Sequence, residues 1–475
     1  MRTTATLPAA LALALLAGCA NMKPGMGFDD VQKTVADRTG ARTHWNNGSK
    51  DDAEVRAAVA SMLRNELTAD EAVQISLLNN HELQAVYEEL NLAQADLVQA
   101  GLLRNPVFSG EIRFATSGGG TGVVLDVAQD FVSLLSMPLR KGRAEAAFEA
   151  AKVRVTAAVL DAGFDVRTAF YDYQAAEQAR EMRATVLEAT GASYELAKRL
   201  RAAGNFRELD VLNERTLYEQ TKVDLAAAES RVVQAREHLN AMMGLWGPQT
   251  QWHAAARLPA LPDEVIAAEG LEGKAITASL DLALLRREAE VAARSAGIAK
   301  PFAWLEGADV GVAAERETDG QWSVGPSLAL PIPLFDQGQA TIGAAEARYR
   351  QAAERTIARA IEIRSRVRAA HAGVVAAHAR ALYYEKVILP LHQRTIDETQ
   401  LHYNAMQVSA FQLLDARRGQ IEAGAEYVAS IREYWHTRAA LDQILAGRMT
   451  PFEHGGTMND SMNSTSGAAA GGDSR

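Results

Sequence analysis

Two histidines, a glycine run and a Met/His-bearing tail are the residues of this 475-residue chain whose types and spacing could support chemistry. His371 and His378 stand seven apart and share one helix face, as two metal ligands would, yet no carboxylate or third ligand lies nearby in sequence. They read as interface or surface residues. The run "TSGGGTG", 116–122, offers the backbone of a phosphate loop, but no Gly-Lys-Ser/Thr follows and no helix signal starts there, so it reads as a hairpin turn. Met449, His454, Met458 and Met462 are soft ligands suited to copper or silver. Their irregular spacing in a Gly/Ser/Asn-rich stretch points instead to a disordered polar C-terminus, 447–475, without a metal. Neither Gly-x-Ser-x-Gly nor His-Glu-x-x-His occurs. Catalysis has no candidate, and no cofactor is expected.

The single cysteine, Cys19, follows a start that carries Arg2 and an apolar run from Leu7 to Ala17 broken only by Pro8. About 20 apolar residues are needed to span a bilayer, so this run reads as a secretory signal over 1–18. Leu16-Ala17-Gly18-Cys19 resembles the bacterial lipobox, whose thiol is joined to diacylglycerol and becomes the mature N-terminus. Cys19 is the expected lipid attachment point. Ala20 behind it, in place of Asp, favours the outer membrane over inner-membrane retention. With Cys19 consumed, neither a disulfide framework nor a thiolate metal site is available.

Net charge is -10, with Lys and Arg dispersed among Asp and Glu, which argues against nucleic acid as a partner. No later segment reaches membrane-helix length without charges. Whatever part enters hydrocarbon must therefore be a closed barrel.

From Leu139 to Gly247 there is no proline, and Ala, Glu, Arg, Leu and Gln dominate. Small apolar residues recur every three or four positions through Ala147, Ala150, Ala151, Val155, Ala158 and Val159, interrupted by Arg154. This spacing predicts a long helix with a narrow packed stripe. Gly204 and Asn205 allow a turn before a second helix. Helices of roughly 40 to 65 residues would reach about 60 to 100 Å, more than a globular domain needs. The second half repeats the plan: Pro138-Leu139 and Gly142 match Pro333-Leu334 and Gly338, and 202–215 aligns without gaps to 404–417. Ahead of each unit lies one shorter helix ending before a proline. Those prolines open extended segments, 106–138 and 301–333, each split by a turn cluster into two β-prone runs of about ten residues, the length of a tilted transmembrane strand. A barrel needs about eight strands, so four per chain require oligomerisation, and three copies would supply about twelve.

The duplicated order of helix, hairpin and helix pair, with Pro-Leu motifs and a glycine turn before Leu209-Asp210-Val211-Leu212, resembles the TolC-like outer-membrane efflux proteins. The resemblance runs from about Thr68 to about Ala446. It implies a mainly α fold with a small β part: a homotrimer whose twelve-stranded β-barrel in the outer membrane continues into a periplasmic α-helical barrel. It further implies a passive exit duct serving a periplasmic adaptor and an inner-membrane pump of the RND type. The turn between the long helices then forms the periplasmic aperture, ringed by acidic side chains. Gly204, Asp210 and Asn213 match it in the first repeat, and Met406, Gln412 and Asp415 in the second. Met406 replaces a glycine and Gln412 replaces an acid, which weakens the ring. Asp210 and Asp415 could equally cap the helices leaving the turn. Pro390 resembles the heavy-metal branch of the family.

The expected organisation is a lipid-anchored extended tether, 19–67; a first repeat, 68–247; an inter-repeat linker, 248–273, around the tunnel's equator; and a second repeat, 274–446. Drug efflux and type I secretion are alternatives within the duct class. A periplasmic coiled-coil spacer lipoprotein is the rival outside it, and the two hairpins argue against a spacer.

Overall fold

Gly27 and Gly40, both at positive φ, bracket the first helix, α1 (Phe28–Thr39). Within it Val31 and Val35 are buried, the spacing of one helical face. The computed structural model describes residues 22–114, 120–255, 257–302, 308–317, 319–330, 332, 334–335 and 337–449. The signal segment, Cys19, His454, Met458 and Met462 lie outside the described residues. Helix α2 (Asp51–Met62) follows α1. The expected extended tether is therefore replaced, from Phe28 onward, by two helices folded onto the body. Phe28 packs edge-on against Trp45 and Tyr87 at centroid distances of 5.5 and 4.9 Å, and Tyr87 is fully buried. Burial of such aromatics outweighs the entropy of a free tether.

Each repeat opens with two short helices where the sequence suggested one. In the first, α3 (Ala69–Asn79) starts at a Thr68–Glu71 capping box and α4 (His81–Ala100) starts at Asn80, whose side chain accepts the Glu82 N–H at 2.7 Å. In the second, α7 (Leu271–Ala278) and α8 (Leu280–Phe302) break at Ser279, which caps Leu282. The breaks receive the ends of the long helices. Asn79 and Asn80 donate to the carbonyls of Met242, Met243 and Gly244. Correspondingly, the Leu280 N–H donates to Gly447 and Arg38 donates to the Ala278 and Ala446 carbonyls. A Cβ on Gly244 would meet the Asn79 carbonyl at 2.7 Å, so its positive φ and its missing side chain are both required.

Four strands, β2 (Val107–Phe114), β3 (Thr121–Asp130), β5 (Asp309–Arg316) and β6 (Trp322–Ala329), form one antiparallel sheet in that order. A shorter parallel pair, β1 (Glu66–Leu67) with β4 (His253–Ala254), ties the start of the first repeat to the inter-repeat segment. Helix α5 (Phe131–Ala202) follows β3 directly, and its 72 residues at 1.5 Å each reach about 110 Å. After the turn, α6 (Glu208–Met243) returns along it. The second repeat runs α9 (Gln339–Tyr383), a π-helical turn over Tyr384–Ile388, α10 (Leu389–Asn404), and the returning α11 (Ala410–Leu445).

Proline placement departs from the sequence reading. The extended segment expected over 106–138 ends at Asp130, whose carboxylate caps Ser133 N at 2.8 Å, and Pro138 sits inside α5. Proline removes the helical hydrogen bond to the Leu134 carbonyl, and beside this gap Arg140 donates to the Ser133 carbonyl and hydroxyl at 2.8 and 2.9 Å. In the second repeat the helix instead begins after Leu334, at Gly338 with φ 78°. Pro390 lacks the N–H that would reach Lys386, and the π turn before it accommodates the ring.

Helix α5 is buried on more than a narrow stripe. Ala150, Ala151, Val155 and Val159 are buried, Ala147 and Ala158 are half-buried, and Phe148, Leu160 and Phe170 join them on other faces, because α3, α4, α6, α8 and α11 all pack on it. His371, half-buried, and His378, buried, are interface residues, one of the two placements expected from their spacing: their Nε2 atoms bond the Ile266 and Pro262 carbonyls at 2.7 and 2.8 Å, pinning the inter-repeat segment to α9. Trp252 is buried on the same belt, donating to Asn240 at 2.7 Å beneath the Arg236 guanidinium. Residues 447–449 do not belong to a free tail. Arg448 pairs with Asp161 of α5 and Asp281 of α8, and Met449 is buried against Leu271.

Candidate functional site

The turns joining the long helices have the same backbone in both repeats. In the first, the Gly204 and Asn205 N–H groups bond the Arg201 and Leu200 carbonyls at 2.9 and 3.0 Å; in the second, Met406 and Gln407 bond Tyr403 and His402, each at 2.9 Å. This is a left-handed helix C-cap. Gly204 has φ 78° and Met406 φ 56°, and Met406 is the only non-glycine with positive φ among the described residues. Its side chain is 94% exposed. A methionine thus holds a conformation that its repeat partner fills with glycine.

Asp210 and Gln412 are equivalent third residues of the returning helices α6 and α11. Gln412 completes a capping box with Ser409, accepting its N–H at 2.9 Å. The change from acid to amide therefore preserves a cap. Asp210 pairs with Arg207, the N-cap residue, at 2.9 Å, and that guanidinium holds its carboxyl below the usual carboxylate range. Asp415 lies a turn and a half into α11 and does not cap it; it pairs with Arg418 at 2.6 Å and stays largely exposed. Asn213 is exposed, one turn after Asp210. Sequence reasoning missed what joins the two turns. Phe206 and Phe411 stack at 4.7 Å with planes 13° apart, and Asp415 and Arg418 border a small cleft that also contains Ser193 and Glu214, linked at 2.5 Å. Both phenylalanines stand next to the turn motif, the one signal available beforehand.

About 110 Å away along α5, the sheet has two chemically different faces. Register places Phe108, Ile112, Val312, Val324 and Leu328 on one side, all exposed. Ser109, Glu111, Arg113, Asp126, Glu315 and Ser327 occupy the other, with Ser327 donating to Asp126 at 2.7 Å and Arg113 bridging Glu111 and Glu315. Alternation with an apolar outer band is the pattern of a membrane barrel strand. β2 and β6 each keep one edge unpaired within the chain, and such edges cannot remain open in hydrocarbon. No described helix is long and apolar enough to cross a membrane.

Comparison with known proteins agrees with this architecture. Residues 72–245 match the family described as outer membrane efflux protein. A curated relative, the cobalt-zinc-cadmium resistance protein CzcC of Cupriavidus metallidurans, is 22% identical over 388 residues, covering 80% of this chain and 90% of that protein. Among solved structures, the outer membrane protein VceC of Vibrio cholerae superposes with TM-score 0.64 at 17% identity, covering 80% of this chain and 97% of its own. The CmeC outer membrane channel of Campylobacter jejuni gives 0.66 at 14% identity, covering 80% and 86%.

Proposed function

We propose that the chain is a TolC-like outer-membrane efflux protein, a reading supported by its likeness to that family, and that three copies close its four-stranded sheets into one barrel and serve as the exit duct of a tripartite efflux system. The observation that carries this reading is the open-edged, two-faced sheet running straight into α5. An energy-coupled inner-membrane pump of the RND type and a periplasmic adaptor would deliver cargo to the turn end, while the duct itself conducts passively. The likeness to a cobalt-zinc-cadmium resistance protein supports divalent transition-metal cations as cargo. Exposed Asp415, three-fold repeated, would form an acidic aperture, weakened by the positive charge of Arg418 at 2.6 Å. Alanine at Asp415 with unchanged cation selectivity in a planar bilayer would remove that aperture role.

We further propose that Cys19 is lipidated, on the lipobox-like Leu16-Ala17-Gly18-Cys19, and the first described residues lie against the helix that leads into the sheet. Gly25 N bonds Asn91 of α4 at 3.4 Å, and Asn91 lies about 15 Å along the helix from its sheet-side end.

The test is tolerance of a strain lacking this chain to copper, silver, zinc, cobalt and cadmium salts beside dyes and antibiotics. Sensitivity confined to metals supports the metal duct. Sensitivity to organic compounds alone assigns the duct to a drug exporter. A monomeric rod after detergent extraction, in place of heat-modifiable trimers, would overturn the duct altogether and favour a spacer.

A further inference from the structure

Where sheet gives way to helix, the polar face of the sheet and the helices below it enclose a cavity of about 730 Å³. Its charges are sorted by height. The sheet contributes Asp126 and Asp309, and the helices contribute Arg140, Arg143 and Arg348. Arg104 and Asp130, also on its wall, neutralise each other at 3.0 Å. Arg143 and Arg348 are exposed, and neither has a carboxylate within ion-pair distance among the described residues. Arg140 commits one nitrogen to Ser133 and leaves its buried Nε without a partner. Among the described residues the Asp126 carboxylate is bonded only to the Ser327 hydroxyl, and no cation partners Asp309.

Arg140 and Arg143 lie ten and thirteen residues past Asp130 on α5, so the basic level sits about 15 to 20 Å below the base of the sheet. The Debye length at physiological ionic strength is about 8 Å. Acidic and basic levels therefore do not cancel through the intervening water, and each keeps its own counter-ions.

Resting on the duct reading, we propose that Arg140, Arg143 and Arg348 form a basic collar in the lumen wall that binds small anions, inorganic oxyanions or carboxylates, directly beneath an acidic belt made by Asp126 and Asp309. Repeated three-fold, the two levels make a bipolar conduit. Cations concentrate in the barrel and anions at the collar, so that current is larger in the direction that drives both ions toward the junction. Guanidinium groups suit this role because they remain charged and donate in pairs to oxyanions.

Full-length protein reconstituted in a planar bilayer provides the test, with symmetric potassium chloride to read rectification and a potassium chloride gradient to read the permeability ratio. Wild type should pass unequal currents at opposite voltages, and millimolar sulfate should reduce its conductance. The double variant Arg143→Gln/Arg348→Gln, which alters two exposed helix-surface side chains, should lose the asymmetry and the sulfate effect and raise the cation-to-anion permeability ratio about two-fold or more. Asp126→Asn should move the ratio the other way. Conducting wild type with symmetric currents and no sulfate effect overturns the collar while leaving the duct intact. So does a double variant that conducts like wild type. Wild-type trimers that insert without conducting would refute the duct and the collar together.

Discussion

Replacing Gly204 and Met406 each by alanine separates backbone strain from side-chain chemistry at the turn end. Both residues hold left-handed φ, 78° and 56°, within the same hydrogen-bond pattern. An L-residue there costs roughly 1 to 2 kcal/mol. A Cβ on Gly204 would meet nothing within 4 Å, so Gly204→Ala adds only this backbone term. Loss of the glycine's unfolded-state entropy returns about 0.4 to 1 kcal/mol, leaving a net local destabilisation of about 0.5 to 1 kcal/mol. Met406 already bears that cost and its side chain is 94% exposed, so Met406→Ala should be neutral and Met406→Gly should stabilise by about 0.5 to 1 kcal/mol. Amide hydrogen exchange reads this directly at Asn205 and Gln407, whose N–H groups close the two turns. Since RT is about 0.6 kcal/mol, exchange at Asn205 should quicken about two- to five-fold in Gly204→Ala, and exchange at Gln407 should slow by a similar factor in Met406→Gly. Equal exchange in Gly204→Ala and wild type would refute the strain argument. Should Met406→Gly slow exchange and yet abolish resistance, the exposed methionine is kept for contact with another component.

Two further outcomes follow from the helix contacts. Asp172 of α5 accepts from Arg432 and His436 of α11 at 2.5 and 2.8 Å; burial alone would push its carboxyl up, but these two partners outweigh it and hold it below the usual carboxylate range. Its tie between the repeats is therefore present above about pH 4 and lost as pH falls through the lowered value, so thermal melting at pH 3 against pH 6 should show a larger loss for wild type than for Asp172→Asn; equal losses would exclude the tie. Trp252→Ala empties a site 1% exposed beneath Arg236 and strands Asn240, and should cost about 3 to 5 kcal/mol, seen as a lowered melting temperature of the detergent-extracted protein.

Periodicity is a local property, and it made the long helices, the two hairpins and the duplicated order legible from 202–215 against 404–417. Helix starts were less legible. Pro138 reads as the end of the extended segment and the opening of the long helix, yet Asp130 caps the helix earlier, through a side-chain contact to Ser133 that propensity alone does not contain. The aperture positions were found by alignment. Their roles were not, because Gln412 caps only through Ser409, and Asp415 faces Arg418 only once α11 is coiled.

What the sequence determined by itself is what depends on neighbours along the chain: the helices, the strand alternation and the turn glycine. Only the tertiary structure decided how the N-terminal segment folds onto Tyr87, how the strands of the two repeats pair, and where Arg348 stands relative to Asp126. Those relations join residues some 60 to 220 positions apart, and they are set by packing and strand register, which act across space with no trace in local composition.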